Sequence, residues 1–99
     1  MEPLALAYSH DGGQLAVALS SNSVVVFDVA TGRDLVNIQT SESISQLEYS
    51  PDGLYLAMAN EHKVDVRGVG EYTRRTLLQF EPQVNDIEFS PDNTQLAVL

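Results

Sequence analysis

The sequence predicts an all-β chain made of β-propeller blades, each with four antiparallel strands, and about two and a half blades are present. The first observation is a turn motif that occurs three times, at spacings of 41 and 40 residues: Ser9-His10-Asp11-Gly12, Ser50-Pro51-Asp52-Gly53 and Ser90-Pro91-Asp92-Asn93. The second observation is that a full period contains four short runs of strand-forming residues separated by turn residues. A repeat of about 40 residues with four strands is typical of propeller blades.

The first repeat indicates how one blade is built. Residues 4–8 alternate larger and smaller side chains, and the turn motif connects them to a second apolar run at residues 14–19. After a polar turn, residues 24–29 form a β-branched run, whose first four residues we expect to be buried on both faces. A turn that contains Gly32 leads to the fourth run at residues 35–38. Because apolar residues do not recur at helical spacing over a helical length, an α/β or helical repeat is not expected.

The second and third repeats follow the same order. The predicted strands cover residues 44–49, 54–59, 63–69 and 76–80 of the second repeat, and residues 84–89 and 95–99 of the third. The third strand of the second repeat differs from its counterpart, because Asp65 and Arg67 alternate there with Val64 and Val66. We therefore expect this strand to expose its polar face to solvent.

The repeats divide the chain into one propeller segment with three parts. Blade 1 is predicted at residues 1–40, blade 2 at residues 41–82, and the first two strands of blade 3 at residues 83–99. A propeller closes its ring with four to eight blades, and an open strand edge is a template for further pairing. The sequence therefore predicts that this segment works with the remaining blades of a longer chain, or that copies of it complete one another.

The composition limits the kinds of partner. The chain has 14 acidic and 5 basic residues, a net charge of −9, which opposes nucleic-acid binding and is compatible with a protein partner that has a basic surface. No apolar run is long enough to span a bilayer, so no membrane association is expected. The absence of cysteine excludes disulfides and leaves the compartment undecided, while the lack of a recognisable signal peptide favours the cytoplasm or nucleus as an expectation.

The motifs resemble two propeller families, the WD-repeat and YVTN-type proteins, over essentially the whole chain. The Tyr49-to-Gly53 turn with Leu56-Ala57 is similar to the inner hairpin of both families, and the run from Ser23 to Gly32 resembles their third strand and following turn. The chain departs from the WD pattern because Phe27-Asp28 has Arg67-Gly68 as its counterpart in the second blade, and no Gly-His pair introduces either blade. The resemblance therefore implies divergent blades without the His-Asp-Ser-Trp hydrogen-bond network of well-formed WD blades.

The residue types that carry chemistry have structural explanations in this sequence. Asp11, Asp52 and Asp92 are interpreted as turn formers, because an aspartate in a turn accepts hydrogen bonds from backbone N–H groups two residues on. His10 and His62 lie in predicted turns of different blades without a second histidine at ligand spacing, and no serine lies in a nucleophile elbow. We therefore predict no catalytic residues, no metal site and no cofactor.

Two further charged groups have open interpretations. Asp86 and Glu88 share one face of a first strand, and Glu48 occupies the matching place in the preceding blade. They are expected on the channel side, either as solvated polar positions or as a contact for a bound cation. Arg74-Arg75 is the only basic pair, predicted in an outer loop as a solvated turn or as a partner contact.

The resemblance to WD propellers implies that partners dock on the face made by two kinds of loop, those joining second to third strands and those joining fourth strands to the next first strand. The candidate contact residues on those loops are Ser21, Asn22, Glu42, Asn60, Glu61, His62, Lys63, Glu81 and Gln83. The function predicted from the sequence is a non-catalytic scaffold segment that binds a protein through this face. The alternatives are a propeller attached to, or gating, an enzyme domain outside the segment, and a self-assembling repeat module.

Overall fold

The computed structural model describes residues 2–80 and 83–99, and ten β-strands lie within them. The strands of the first repeat are β1 (Pro3–Tyr8), β2 (Gln14–Leu19), β3 (Ser23–Asp28) and β4 (Asp34–Gln39). The later strands are β5 (Gln46–Tyr49), β6 (Tyr55–Ala59), β7 (Lys63–Gly68), β8 (Arg74–Gln79), β9 (Ile87–Phe89) and β10 (Leu96–Val98). Residues 2–80 and 83–99 contain no helix with the length and hydropathy needed to cross a membrane.

Each set of four strands forms one antiparallel sheet in which hydrogen-bonded neighbours follow chain order. Blade 1 consists of β1–β4 and blade 2 of β5–β8, while β9 and β10 pair as a two-stranded half-blade. Consecutive pairing through short turns makes each sheet a meander. This confirms the predicted all-β architecture of two four-stranded blades and half of a third, whereas the blade boundaries given above stay a prediction.

The two full blades share an irregularity at the same repeat position. The pairing of β3 with β4 shifts between Val26 and Phe27, and the pairing of β7 with β8 shifts between Val66 and Arg67. An extra residue in one strand bends it and increases its twist. Both fourth strands therefore continue to pair beyond the shift and begin at Asp34 and Arg74, earlier than the sequence predicts.

One apolar core lies between blade 1 and blade 2. Alternation along each strand sends one set of side chains to this interface. Its buried members are Ala16, Ala18, Val24, Val26, Ile38, Ile44, Leu47, Tyr49, Leu56, Met58 and Tyr72. The expectation of burial on both faces is confirmed for residues 24–26, whereas Phe27 is half-buried.

A second apolar core lies between blade 2 and the half-blade. Its buried members are Ala57, Ala59, Val64, Val66, Val84 and Ile87, with Phe89 and Leu96 among the partly buried residues packed against them. Val84 is buried although it precedes β9, which is shorter than predicted. Its N–H donates to the carbonyl of Glu61 at 2.7 Å, so this residue is held by a loop contact rather than by a strand ladder.

The predicted exposure of the polar face of β7 is wrong. The Asp65 residue is 7% exposed, and its carboxylate accepts hydrogen bonds from Arg67 Nη2 at 3.2 Å and from Arg74 Nε and Nη2 at 3.2 and 3.0 Å. Arg74 and Arg75 lie on β8, not in an outer loop. The polar face is buried because it is the side of blade 2 that packs on blade 1, and paired charges tolerate burial.

The three repeated turns are built by one hydrogen-bond pattern. In the first turn, Asp11 Oδ1 accepts from the Ser9 hydroxyl and from the Gly13 N–H, both at 2.8 Å, and the Ser9 hydroxyl accepts from the Gln14 N–H at 3.0 Å. The same contacts recur around Asp52 and Asp92, which confirms the three aspartates as turn formers. Hydroxyl hydrogen bonds from its turn, from the serine first and then from a threonine, lower the pKa of Asp92 to about 2.

Candidate functional site

In a meander, successive connections alternate between the two ends of the sheet. The loops that carry the candidate contact residues therefore lie at the same end of the blades. We call this end the loop face and define it by residues 20–23, 40–43, 60–63 and 83. The loops contact one another across the blades: the Thr40 N–H donates to the Asn22 carbonyl, and the Ser43 hydroxyl donates to Asn22 Oδ1, both at 2.9 Å. Asn22 has a φ of 61°, in the left-handed region that asparagine tolerates better than most residues. The structure therefore brings the first two predicted loops into one surface.

The loop of residues 60–63 joins the same surface. Lys63 Nζ lies 3.9 Å from Glu42 Oε1, which places this loop beside the loop of residues 40–43 that joins the two blades. Asn60 Oδ1 accepts hydrogen bonds from the N–H groups of His62 and Lys63 at 3.0 and 2.9 Å. Because Asn60 is buried and its amide oxygen is used in this way, its side chain shapes the loop rather than lying on the surface.

The other candidate contact residues differ in accessibility. Those with exposed side chains are Ser21, Asn22, Glu42, Glu61, His62 and Gln83, while Lys63 is half-buried. The predicted contact at Glu81 lies outside the described residues. A partner that approaches the loop face would thus meet hydroxyl, amide and imidazole groups together with two carboxylates.

Sequence reasoning missed the polar groups behind this face. Arg74 projects from β8, and Asp65 holds its guanidinium by two hydrogen bonds, which raises the pKa of Arg74. Arg67 Nη2 donates to Asp65 Oδ2, the oxygen that also accepts from Arg74 Nη2, and Arg67 Nη1 donates to the Tyr72 carbonyl at 3.1 Å. The repeat offset of 40 residues was the available signal, because it aligns Asp65 and Arg67 with the apolar residues Val25 and Phe27 of β3.

A second polar link crosses the same pair of blades near the opposite end. The Tyr72 hydroxyl donates to Gln14 Oε1 of blade 1 at 2.5 Å and lies 2.9 Å from the Tyr49 hydroxyl. Burial, followed by the hydrogen bond to Tyr72, raises the pKa of Tyr49, and burial also raises the pKa of Tyr72. These hydrogen bonds link blade 1 to blade 2 in a sequence that has no tryptophan and therefore cannot form the His-Asp-Ser-Trp network of well-formed WD blades.

The remaining titratable groups lie apart from the loop face. A cavity of about 190 Å³ between the first two turn motifs is lined in part by His10, Asp11 and Asp52. Burial raises the pKa of Glu48, and the charges of Glu88 and Asp86 add to this effect against a hydrogen bond from the Phe89 backbone. Within residues 2–80 and 83–99, no three acidic, histidine or cysteine side chains are grouped as a metal site requires.

Comparison with known proteins gives WD-repeat relatives. The chain is 37% identical over 96 residues to an uncharacterized WD repeat-containing protein of Synechocystis sp., a match that covers 94% of this chain and 27% of the relative. The chain thus spans about a quarter of the length of this curated relative. No family model matches the chain.

Solved structures agree on the architecture. U3-55K superposes with a TM-score of 0.93 at 19% identity, and the RRP9 WD40 repeats superpose with 0.92 at 19%; each match covers 99% of this chain and 33% or 32% of the other. At this identity the two structures establish the fold alone. A chain of Kuenenia stuttgartiensis hydrazine synthase superposes with a TM-score of 0.88 at 26% identity, over 99% of this chain and 30% of that one.

Proposed function

Since the chain is a segment of a WD-repeat β-propeller, we propose that it acts as a non-catalytic scaffold whose loop face binds a protein partner. The observation that carries this proposal is the cross-connected loop face, in which Asn22 accepts hydrogen bonds from the Thr40 N–H and the Ser43 hydroxyl while the loops still present exposed polar side chains. A surface that is ordered before binding loses little conformational entropy when the partner arrives. Rigid loops of this kind support selective contact with a protein.

The charge of the chain favours one kind of partner surface. The net charge of −9 produces a negative field, and Glu42 and Glu61 place two carboxylates on the loop face itself. A field of one sign accelerates association with a partner of opposite sign and slows association with a like-charged one. We therefore propose a partner with a basic surface, and neither nucleic acid nor a membrane.

Site-directed crosslinking tests the loop-face proposal. A photoreactive residue at His62 is expected to crosslink a protein partner, whereas the same residue at Arg33, exposed in a turn at the opposite end of blade 1, is expected not to. The identified partner is then expected to bind more weakly to an Asn22→Ala/His62→Ala variant than to wild type. Crosslinking from Arg33 alone, or unchanged affinity of that variant, would contradict the proposal.

A second candidate function places the propeller beside an enzyme. The observation that favours it is the similarity to a chain of hydrazine synthase, an enzyme. In this case the propeller would be attached to, or gate, an enzyme domain outside the segment. Crosslinking from His62 to a catalytic domain of the same polypeptide, rather than to a separate protein, would support this function over the first.

A third candidate is assembly with further copies. Blade 1 leaves Leu6 and Tyr8 60% and 59% exposed on the sheet face opposite to blade 2. Exposed apolar patches of this kind mark surfaces that pack against another element. The mass of the chain in solution by light scattering distinguishes the cases, because a discrete β-rich oligomer would favour self-assembly and a monomer would exclude it.

A further inference from the structure

A cleft between blade 1 and blade 2 opens beside the loop face. Its volume is about 110 Å³. One wall comes from the end of β4 and the loop that follows it, with Gln39 and Thr40, and the other comes from blade 2, with Lys63, Asp65 and Arg74. The cleft therefore combines hydrogen-bond donors from two blades with two cationic side chains.

The cleft concentrates positive charge in an acidic protein. Of the five Lys and Arg residues in the sequence, Lys63 and Arg74 line the cleft, and Arg67 lies directly behind Asp65. The carboxylates paired with these cations in the described part of the chain are Asp65 and Glu42. Three cations against two carboxylates leave a local charge of +1 on a chain whose net charge is −9.

The geometry of Arg74 leaves part of its guanidinium available. Nε and Nη2 bind the buried Asp65 carboxylate, which fixes the plane of the group. A guanidinium has five N–H donors, and among the described residues Nη1 has no hydrogen-bond partner. The side chain is 51% exposed, so this outer edge is open to solvent and preoriented for a planar anion.

The size of the cleft selects the ligand class. Pockets for cofactors and drug-sized molecules have volumes of roughly 300–1,000 Å³. A cleft of about 110 Å³ holds only the end of a side chain. A carboxylate also matches the fork of an arginine, which can bind both oxygens at once.

We propose that this cleft receives the carboxylate of a glutamate or aspartate side chain of the protein partner, between Arg74 and Lys63. The proposal rests on the proposed function, since the cleft opens beside the face at which that partner docks. The negative field of the chain disfavours acidic segments, so the receiving cleft fits an isolated acidic side chain in an otherwise neutral or basic segment. The cleft would then fix the register of the partner.

Glu42 supports this proposal because its carboxylate already pairs with Lys63 and would compete with the carboxylate of a partner. Glu42 Oε1 lies 3.9 Å from Lys63 Nζ, and the Glu42 side chain is 52% exposed. The pair is long for a charge-assisted hydrogen bond and open to solvent, so it is easily exchanged. A carboxylate of the partner would replace Glu42 as the ion-pair partner of Lys63 and would also bind the guanidinium of Arg74.

The test uses the full chain and N-acetylglutamate α-amide as the carboxylate probe, with N-acetylglutamine α-amide as its uncharged match. Nitrogen-15 NMR is expected to show a saturable shift of the Arg74 Nε–H signal and of the backbone signals of residues 39–41 with the first compound only. Arg74→Gln and Lys63→Gln are each expected to weaken binding about fivefold or more, and Glu42→Gln to strengthen it. Arg33→Gln, which removes the same charge elsewhere, is expected to leave it unchanged.

The outcomes separate the possibilities. Equal shifts with both compounds, or binding by Arg74→Gln as strong as that of wild type, would overturn the proposal. Lys63→Gln keeps the result interpretable if Arg74→Gln fails to fold, because Lys63 is not bonded to Asp65. Binding of N-acetylphosphoserine amide without binding of the carboxylate probe would also overturn it, and would assign the cleft to a phosphorylated partner.

Failure of this proposal can be told apart from failure of the loop-face proposal. The probe experiment needs no partner, so carboxylate binding in the cleft can be absent while crosslinking from His62 still succeeds. In the opposite case, the carboxylate probe binds but the partner crosslinks only from Arg33. The cleft would then be a genuine anion site, and the loop face would not be the docking surface.

Discussion

The two interfaces between blades use the same repeat positions with different chemistry. Between blade 1 and blade 2, the apolar core is accompanied by a buried carboxylate with two arginines and by a pair of hydrogen-bonded tyrosines. Between blade 2 and the half-blade, the core is apolar. The polar links there include Gln46 with the Asn85 carbonyl and the Ile87 N–H, the Asp52 N–H with Asn93 Oδ1, and the Val84 N–H with the Glu61 carbonyl. The first interface thus holds polar groups inside, while the second has them at its margins.

This difference shows what a repeated scaffold permits. Val25 and Phe27 of β3, on the face of blade 1 turned away from blade 2, correspond to Asp65 and Arg67 of β7. The same two strand positions therefore carry apolar residues in one blade and charged residues in the other. The charges of Asp65 and Arg67 are tolerated because each has a partner on the same sheet. Asp65 also orients the exposed guanidinium of Arg74, which an apolar residue at that position could not do. The chemistry of an interface between blades can therefore differ while the four-stranded blade stays the same.

The largest expected effect comes from placing an unpaired charge in the first interface. Leu56 is fully buried there, whereas Phe89 of the second interface is only partly buried. Leu56→Asp is expected to destabilise the chain by more than about 4 kcal/mol and to abolish folding, and Phe89→Asp to cost clearly less. Chemical denaturation followed by circular dichroism measures both.

The matched control for this prediction is a residue on the exposed loop face. His62→Ala is expected to change the free energy of unfolding by less than about 0.5 kcal/mol. If Phe89→Asp proved as damaging as Leu56→Asp, the second interface would be as tightly packed as the first, and the comparison between them would fail.

An intermediate effect is expected from breaking the buried ion cluster. Asp65→Asn leaves the largely buried Arg67 without its neutralising partner and is expected to cost about 3 kcal/mol. The double variant Asp65→Val/Arg67→Phe installs the residues of blade 1 and is expected to lie within about 1 kcal/mol of wild type. Thermal or urea unfolding of the three proteins provides the measurement.

The double variant sharpens the comparison because it replaces the buried charges of the first interface with apolar residues and leaves the tyrosine link unchanged. A double variant less stable than Asp65→Asn would mean that the ionic residues are required for packing at this position. In that event the cluster would be part of the fold rather than an addition to it.

The sequence was sufficient for the parts of the structure that depend on local pattern. The period of the Ser-x-Asp turns predicted the blades, and the turn geometry of Asp11, Asp52 and Asp92 follows from contacts within a few residues. The resemblance to WD propellers implied that the loops of residues 20–23, 40–43 and 60–63 share one face, and the alternation of connections in a meander explains why they do.

The parts that failed depend on contacts between blades. Alternation of Asp65 with valines suggested a solvated face, but burial is decided by blade 1 packing against it. Arg74 lies nine residues away and reaches Asp65 only through the pairing of β7 with β8. Asn60 appeared to be a surface residue because nothing local shows that its amide closes the loop from the inside.

The smallest expected effect concerns the tyrosine link, which tests whether polar groups inside the first interface stabilise it. Tyr72→Phe removes the hydroxyl that donates to Gln14 and lies 2.9 Å from the Tyr49 hydroxyl, and is expected to cost about 1–2 kcal/mol. Tyr8→Phe is the control, because Tyr8 occupies the repeat position of Tyr49 but is exposed, and it should cost less than about 0.5 kcal/mol.

The pH dependence of stability adds a second measurement on the same variants. The pKa values of Tyr49 and Tyr72 are raised in the fold, so above about pH 10, the ordinary tyrosine pKa, the unfolded chain loses protons that the folded chain retains. The stabilisation is therefore present below about pH 10 and decreases as the pH rises further. Tyr72→Phe should flatten this alkaline decrease, measured by urea unfolding between pH 8 and 11, and Tyr8→Phe should not. An alkaline decrease that is the same in all three proteins would show that the tyrosine link contributes nothing specific, and that the first interface is held, like the second, by its apolar core.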